Sequence, residues 1–281
     1  MTAQEQPVAE VVGLPPIPLW PDGPPTGGVT DGDTPCLTPY LPAGIAPRDA
    51  IIVFPGGGYS RRAPHEREPI ARWLAGLGLA AFVLDYRVAP HHHPAPLDDA
   101  RRAIRLVRHR AAEWGLDAPR IAILGFSAGG HLAASAGVYG DDGDPDSADP
   151  VARVGSRVDA LVLCYAVISL REFQHQRSTE NLLGPAAPAA LLDALSLETR
   201  VTPATPPTFL WHTVEDASVP VEHCLLFAGA LRRHGVPFSL HVYPHGRHGL
   251  GLALDDPLVG TWTVLCARWL ELQGFRTTPA R

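Results

Sequence analysis

The chain has 281 residues, 46% hydrophobic and 19% charged, with a formal net charge of -6. That balance describes a folded globular protein with a large core and excludes a disordered or fibrous chain. All of the basic charge is arginine, scattered except between Arg101 and Arg110, so no nucleic-acid partner is expected. The longest uncharged apolar stretch, Ala160 to Leu170, is shorter than the roughly 20 residues that cross a bilayer, and no membrane partner is expected either.

The opening MTAQEQPVAEVV shows no basic segment followed by an apolar run, which predicts a cytoplasmic protein, with secretion of a longer precursor as the alternative. Residues 7–47 are rich in proline and glycine, which forbids long helices. The first 48 residues are expected to form an extended arm packed on the body, with one or two edge strands. From residue 49 to 281 the pattern predicts a single α/β domain. Apolar runs of strand length recur at 51–54, 80–86, 121–126, 160–165, 208–213 and 238–243. Segments with helical periodicity lie between them, among them REPIARWLAGLG, AGGHLAASAGVY and PVEHCLLFAGALRRHG. Strands that are apolar on both faces belong inside a parallel sheet, so the expected architecture is a doubly wound sheet flanked by helices. The Arg101–Arg110 cluster falls on a predicted helix and is expected to be a solvated face. An insertion at 169–207 breaks the alternation; it is either a wall of a binding site or a surface excursion. Cys36, Cys164, Cys224 and Cys266 form no C-x-x-C pair, consistent with four reduced thiols and no structural zinc.

The strongest local signal is GFSAGG, Gly125 to Gly130, which follows a predicted strand and opens a predicted helix. In a G-x-S-x-G elbow the serine sits in a strained turn, with its hydroxyl exposed above the sheet. The N–H of Ala128 then points to where an oxyanion would form. The simpler reading makes Ser127 only a helix N-cap. PGGGY, Pro55 to Tyr59, follows the strand at 51–54, and its glycines free the backbone to present further donors, Gly57 and Gly58. A serine hydroxyl is a weak nucleophile without a base, and the base needs an orienting acid. HTVEDASVP, after the strand at 208–213, offers two adjacent carboxylates; Asp216 is favoured and Glu215 is the alternative. The loop after the last strand reads PHGRHGLGL. Its glycines give His248 the freedom to fold back over the elbow, His245 is the second candidate, and His241 lies within the strand.

With these residues in place, the chain resembles α/β-hydrolase esterases of the group that includes bacterial acetylxylan esterases and feruloyl-esterase-like carbohydrate esterases. More distantly it is similar to hormone-sensitive-lipase-type esterases. The likeness runs through IPLWPDGPP, PGGGYS, HEREPIARWLAGLG, LDYRVAP, GFSAGGHLAA, NLLG, HTVEDASVPVEHCLLFAGAL and YPHGRHGLGLA. It implies an α/β-hydrolase fold and a serine ester hydrolase with Ser127 as nucleophile, Asp216 as acid and His248 as base. It places the oxyanion donors on Gly57, Gly58 and Ala128. Implied substrates are acetylated oligosaccharides or other small esters, with no metal or organic cofactor. A general short-chain carboxylesterase is the alternative, ahead of a peptidase or a non-catalytic binding relative of the same fold. Tyr59, beside the oxyanion loop, and His131, one helical turn past Ser127, are expected to line the acyl pocket. His91, His92 and His93 are adjacent and cannot all aim at one ion, so a loop is expected there and not a metal site. Asp85, Tyr86 and Arg87 are expected to be structural.

Overall fold

The computed structural model describes residues 10–29, 34–44, 49–116 and 120–277. Three strands come first: the short β1 (Val11–Gly13) and β2 (Ile17–Pro18), and β3 (Cys36–Pro42). They are followed by β4 (Ala50–Phe54), β5 (Ala80–Asp85), β6 (Ile121–Phe126), β7 (Ala160–Cys164), β8 (Thr208–Thr213) and β9 (Phe238–Tyr243). These strands form one sheet in the order β1-β3-β5-β4-β6-β7-β8-β9, with β2 also pairing to β3. From β5 to β9 every pairing is parallel. The N-terminal stretch differs from the expected arm, because it supplies three antiparallel strands and β3 pairs with β5 along five residues.

Each central strand alternates its side chains between two cores, as a two-residue period requires. Ile52, Phe54, Ile121 and Ile123 face one helical layer, while Ile51, Val53, Leu124 and Phe126 face the other. The helices α1 (Glu68–Gly76), α2 (Ala95–His109), α3 (Ser127–Val138), α4 (Gln176–Leu183), α5 (Ala189–Ala194), α6 (Glu222–Arg233) and α7 (Trp262–Leu272) cover both faces. Ile70, Leu74, Trp262 and Leu270 of α1 and α7 belong to the second core, whereas Ile104, Leu132 and Phe227 of α2, α3 and α6 belong to the first.

The arginines between Arg101 and Arg110 are not a freely solvated face. Arg102 pairs with Asp149, Arg105 with Asp141, and Arg110 with Glu113. Arg108 donates to the carbonyls of Gly155 and Arg157, so Arg102, Arg105 and Arg108 fasten α2 to the segment before β7, while Arg110 stays with its neighbour Glu113. Among the described residues no helix is long and apolar enough to cross a membrane.

Strand order reverses direction at β4, which has β5 on one side and β6 on the other. In such sheets the crevice beyond the carboxyl ends at the reversal is where ligands bind. Phe54 pairs with Gly125 in the register of β4 and β6. The PGGGY and GFSAGG segments therefore leave the sheet side by side at that crevice. The insertion at 169–207 reaches the same edge through α4, while α5 lies against the C-terminal end of α3, where Tyr139 Oη donates to the Ala194 carbonyl. At the edge, α4 is fixed by Asn181, whose Nδ2 donates to the Gly58 carbonyl at 2.7 Å, and by the N–H of His93, which donates to the Leu182 carbonyl at 2.7 Å.

Candidate active site

Ser127 directly follows β6 and begins α3 with φ at +52°, a left-handed backbone that a non-glycine residue adopts only under strain. The turn is tight enough to need its flanking glycines. A Cβ on Gly125 would lie 2.3 Å from the Gly129 carbonyl oxygen, and one on Gly129 would lie 2.2 Å from that of Phe54. The strand end is thus pressed against the first turn of α3, and that turn against the Phe54 and Pro55 carbonyls where the oxyanion loop begins. The side chain of Ser127 faces a cavity of about 370 Å³ that is also lined by His248, Gly57 and Gly58.

His248 Nε2 lies 2.8 Å from Ser127 Oγ, and His248 Nδ1 lies 2.6 Å from Asp216 Oδ2. With a neutral imidazole the ring N–H donates to the carboxylate and the other nitrogen accepts from the serine hydroxyl. Tyr165 packs its ring edge-on against His248, with centroids 5.0 Å apart. Asp216 is fully buried at the exit of β8, and its Oδ1 accepts the N–H groups of Ser218 and Val219, each at 2.9 Å. His212 Nε2 donates to the Val219 carbonyl at 2.8 Å and lies 3.4 Å from Asp216 Oδ2. Burial alone would raise this carboxyl, but the close contact of His212, the hydrogen bond and charge of His248, and then the Val219 N–H outweigh it. They hold Asp216 far below the usual carboxylate range.

The alternatives from the sequence meet each other elsewhere. Glu215 Oε1 accepts from His245 Nδ1 at 2.9 Å on the open surface. His241 stays in β9, bonded to Ser239 Oγ at 2.9 Å and tilted against Phe209.

Gly57 and Gly58 have φ of +127° and +63°, and a Cβ on Gly57 would collide with the Arg61 carbonyl at 2.3 Å. Their N–H groups and that of Ala128 have no protein acceptor among the described residues. The preceding N–H, of Gly56, donates to Glu66 Oε2 at 2.7 Å, while Glu66 Oε1 accepts from Tyr165 Oη at 2.7 Å. Tyr165 Oη in turn accepts the N–H of Gly251 at 2.9 Å. One buried carboxylate therefore links the oxyanion loop to the loop that carries His248. Sequence reasoning missed Glu66 because a glutamate in PHEREP looks like any solvated residue ahead of a helix. It also missed His175, Arg177 and Ser218, which line the cavity from the N-cap of α4, from α4 itself and from the loop after β8.

The expectation for Tyr59 and His131 is corrected. Both are buried, and neither lines the cavity. Tyr59 Oη lies 2.8 Å from His131 Nδ1, and His131 Nε2 lies 2.9 Å from the Leu195 carbonyl. A donating Nε2–H leaves Nδ1 to accept from the tyrosine, so the pair is satisfied internally. Burial pushes the His131 imidazole down to about 4, partly offset by the Leu195 carbonyl. Asp85, Tyr86 and Arg87 are structural: Arg87 pairs with Asp99, both fully buried, and Tyr86 Oη supports the Pro55 carbonyl at 2.7 Å. His92 Nδ1 lies 3.0 Å from the Asn181 carbonyl and helps to seat the insertion. Among the described residues no cluster of histidine, cysteine and acidic side chains is arranged to hold a metal ion.

A serine in a strand-to-helix elbow, a histidine on the last strand's loop and an oxyanion loop after a neighbouring strand define the α/β-hydrolase fold. Within it, the chain belongs to the BD-FAE family, which matches residues 38–231. The crystal structure of an acetyl ester-xyloside bifunctional hydrolase from Caldicellulosiruptor lactoaceticus is 53% identical, with a TM-score of 0.88 over 93% of this chain and 97% of that one. Endo-1,4-beta-xylanase B of Butyrivibrio fibrisolvens is 39% identical over 80% of this chain and 36% of its own length. Acetylxylan esterase of Xylanibacter ruminicola is 32% identical over 81% of this chain and 44% of its own length. The chain thus spans less than half of these two curated relatives.

Proposed function

We propose that this chain is a serine ester hydrolase that removes acetyl or other short acyl groups from a carbohydrate or similar small alcohol. The observation that carries the reading is the Ser127–His248–Asp216 hydrogen-bonded chain beneath an open polar cavity. In the proposed reaction His248 takes the Ser127 proton as Oγ attacks the ester carbonyl. The N–H groups of Gly57, Gly58 and Ala128 receive the oxyanion. The imidazolium then gives its proton to the departing alcohol. Water, deprotonated by the same histidine, releases the acid, while Asp216 fixes the imidazole tautomer and its orientation.

The lining supports a hydroxylated alcohol over a long alkyl one, because Ser60, His65, His175 and Ser218 face the cavity. The names of the Caldicellulosiruptor and Xylanibacter relatives support acetyl as the acyl group. The test is acetate release from acetylated xylo-oligosaccharides beside hydrolysis of p-nitrophenyl acetate, butyrate and octanoate, with Ser127→Ala as the blank. Efficient release from the sugar, with a steep fall beyond acetate, is expected. Good aryl-ester turnover with an inert sugar would make it a general carboxylesterase, and activity surviving in Ser127→Ala would remove Ser127 from the mechanism.

A further inference from the structure

The cavity above Ser127 holds more positive charge than a neutral acetyl ester requires. Arg61, Arg177 and Arg247 all line it, contributed by the segment after the oxyanion loop, by α4 and by the loop carrying His248. Glu66 is the one carboxylate in that lining, and both its oxygens are engaged by Gly56 and Tyr165. Arg61 and Arg177 are exposed and make no side-chain hydrogen bond or ion pair among the described residues. Arg247 spends one nitrogen on the carbonyls of His248 and Gly249, at 2.8 and 3.2 Å, and has no carboxylate partner among the described residues.

This arrangement runs against the rest of the molecule. The chain as a whole is acidic, with a net charge of -6. Elsewhere Arg72, Arg105, Arg157 and Arg171 are paired with carboxylates, whereas Arg232, Arg233 and Arg268 are exposed without one among the described residues; what sets Arg61, Arg177 and Arg247 apart is that they surround one cavity. Three guanidinium groups around one cavity repel each other, and they raise the local concentration of an anion. Their planar donor forks match a carboxylate in particular.

We propose that the alcohol portion of the substrate carries a carboxylate, as in an acetylated oligosaccharide bearing a uronic acid, and that Arg61, Arg177 and Arg247 bind it. The inference rests on the ester-hydrolase reading above. The carboxylate belongs to the alcohol side because Arg247 adjoins His248, the group that must protonate the leaving oxygen. Its role is recognition and orientation; no bond to it forms or breaks.

The experiment compares acetate release from an acetylated xylo-oligosaccharide carrying a uronic acid with release from the same oligosaccharide after reduction of its carboxyl to an alcohol. Both are measured at about 20 mM and about 300 mM salt, which screens charges across a solvated cavity. At low salt the kcat/KM ratio of acidic to reduced substrate is expected to be about tenfold or more, shrinking towards one at high salt. In Arg177→Gln/Arg247→Gln the ratio is expected to sit near one at both salts. Equal turnover of the two sugars by the unaltered protein would overturn the anion site and leave the ester-hydrolase reading standing. Failure of both sugars and of p-nitrophenyl acetate would overturn both. Selectivity for a carboxylate on the acyl side, seen as aryl hemisuccinates outrunning aryl butyrates with no preference between the sugars, would also overturn it.

Discussion

Two histidine–carboxylate pairs arise from the same two loops. Glu215 meets His245 and Asp216 meets His248, at 2.9 and 2.6 Å. Contact distance hardly separates them, but surroundings do. The side chains of His245 and Glu215 are 75% and 58% exposed, whereas those of His248 and Asp216 are 23% and 0% exposed. Water screens the outer pair to near irrelevance, while the inner pair is fixed by His212, Ser218, Val219 and Tyr165 and ends on a serine hydroxyl. A histidine–carboxylate contact becomes a candidate for catalysis only when its geometry is held and a third group receives its effect.

The sharpest way to break this comparison is to delete each histidine in turn. His248→Ala is expected to lower kcat for p-nitrophenyl acetate by about 10⁴ or more, while His245→Ala stays within about twofold. The opposite pattern would exchange the two pairs. Asp216→Asn comes next, with a loss of about 10³ to 10⁴ at an unchanged fold, because an amide cannot hold the same imidazole tautomer. Glu215→Gln in the same assay should change little.

Histidines buried without any carboxylate form a third case. Burial depresses His131 and His223 to about 4, so between about 6.5 and 4 the unfolded chain binds protons that the folded chain refuses. Their contribution to stability is therefore complete above about 6.5 and is lost as pH falls towards 4, with no further loss below. The expected size is on the order of 3 kcal/mol for each histidine at most. Urea unfolding at stepped pH should show that slope, and His223→Gln should make it shallower by one proton. A flat profile across this window would show that these imidazoles are not held neutral.

Among the groups that hold the site, the smallest loss is expected for Glu66→Gln, which keeps an acceptor for one neighbour and weakens the tie between the oxyanion loop and the His248 loop. About a tenfold fall in kcat with little change in KM is expected, read from full saturation curves. A change confined to KM, or recovery of kcat in Glu66→Asp no better than in Glu66→Ala, would reduce Glu66 to a folding role.

Much of this was legible in the sequence for a physical reason. The parallel strands β4 to β8 are buried on both faces, so they appear as continuous apolar runs bounded by turn residues. The elbow was legible because its glycines are demanded by backbone contacts that any sequence with this turn must respect. Chain order and loop flexibility were enough to favour His248 over His245, and the structure brings His248 to Ser127. The strands β1 to β3 were harder to see, since β1 and β2 span only three and two residues and prolines interrupt the pattern, Pro18 in β2 and Pro39 and Pro42 in β3. Proline is tolerated there because its missing N–H costs little at an edge or a widely spaced pairing. Tyr59 was misplaced because adjacency to the oxyanion loop does not show that its backbone, at φ +55°, turns the ring inward against Tyr86 and His131, and His131 because helical spacing locates a residue on α3 without saying which faces of α3 are covered. The first ten residues of that helix are all buried, so a position one turn past Ser127 has no open face to reach. Glu66 and Arg177 depend on contacts between distant segments, for which no local pattern exists.

The insertion that carries α4 has an implication for how such a protein can diversify. Ser127, Asp216 and His248 stand on loops at the ends of sheet strands, whereas His175 and Arg177 reach the cavity from a separable excursion of the chain. Exchanging residues 169–207 between relatives should therefore alter which alcohol is accepted while sparing the chemistry. The ties from His92, His93 and His131 meet backbone carbonyls that any replacement segment also has, whereas Asn181, whose side-chain amide holds the Gly58 carbonyl, has to travel with its matching glycine loop.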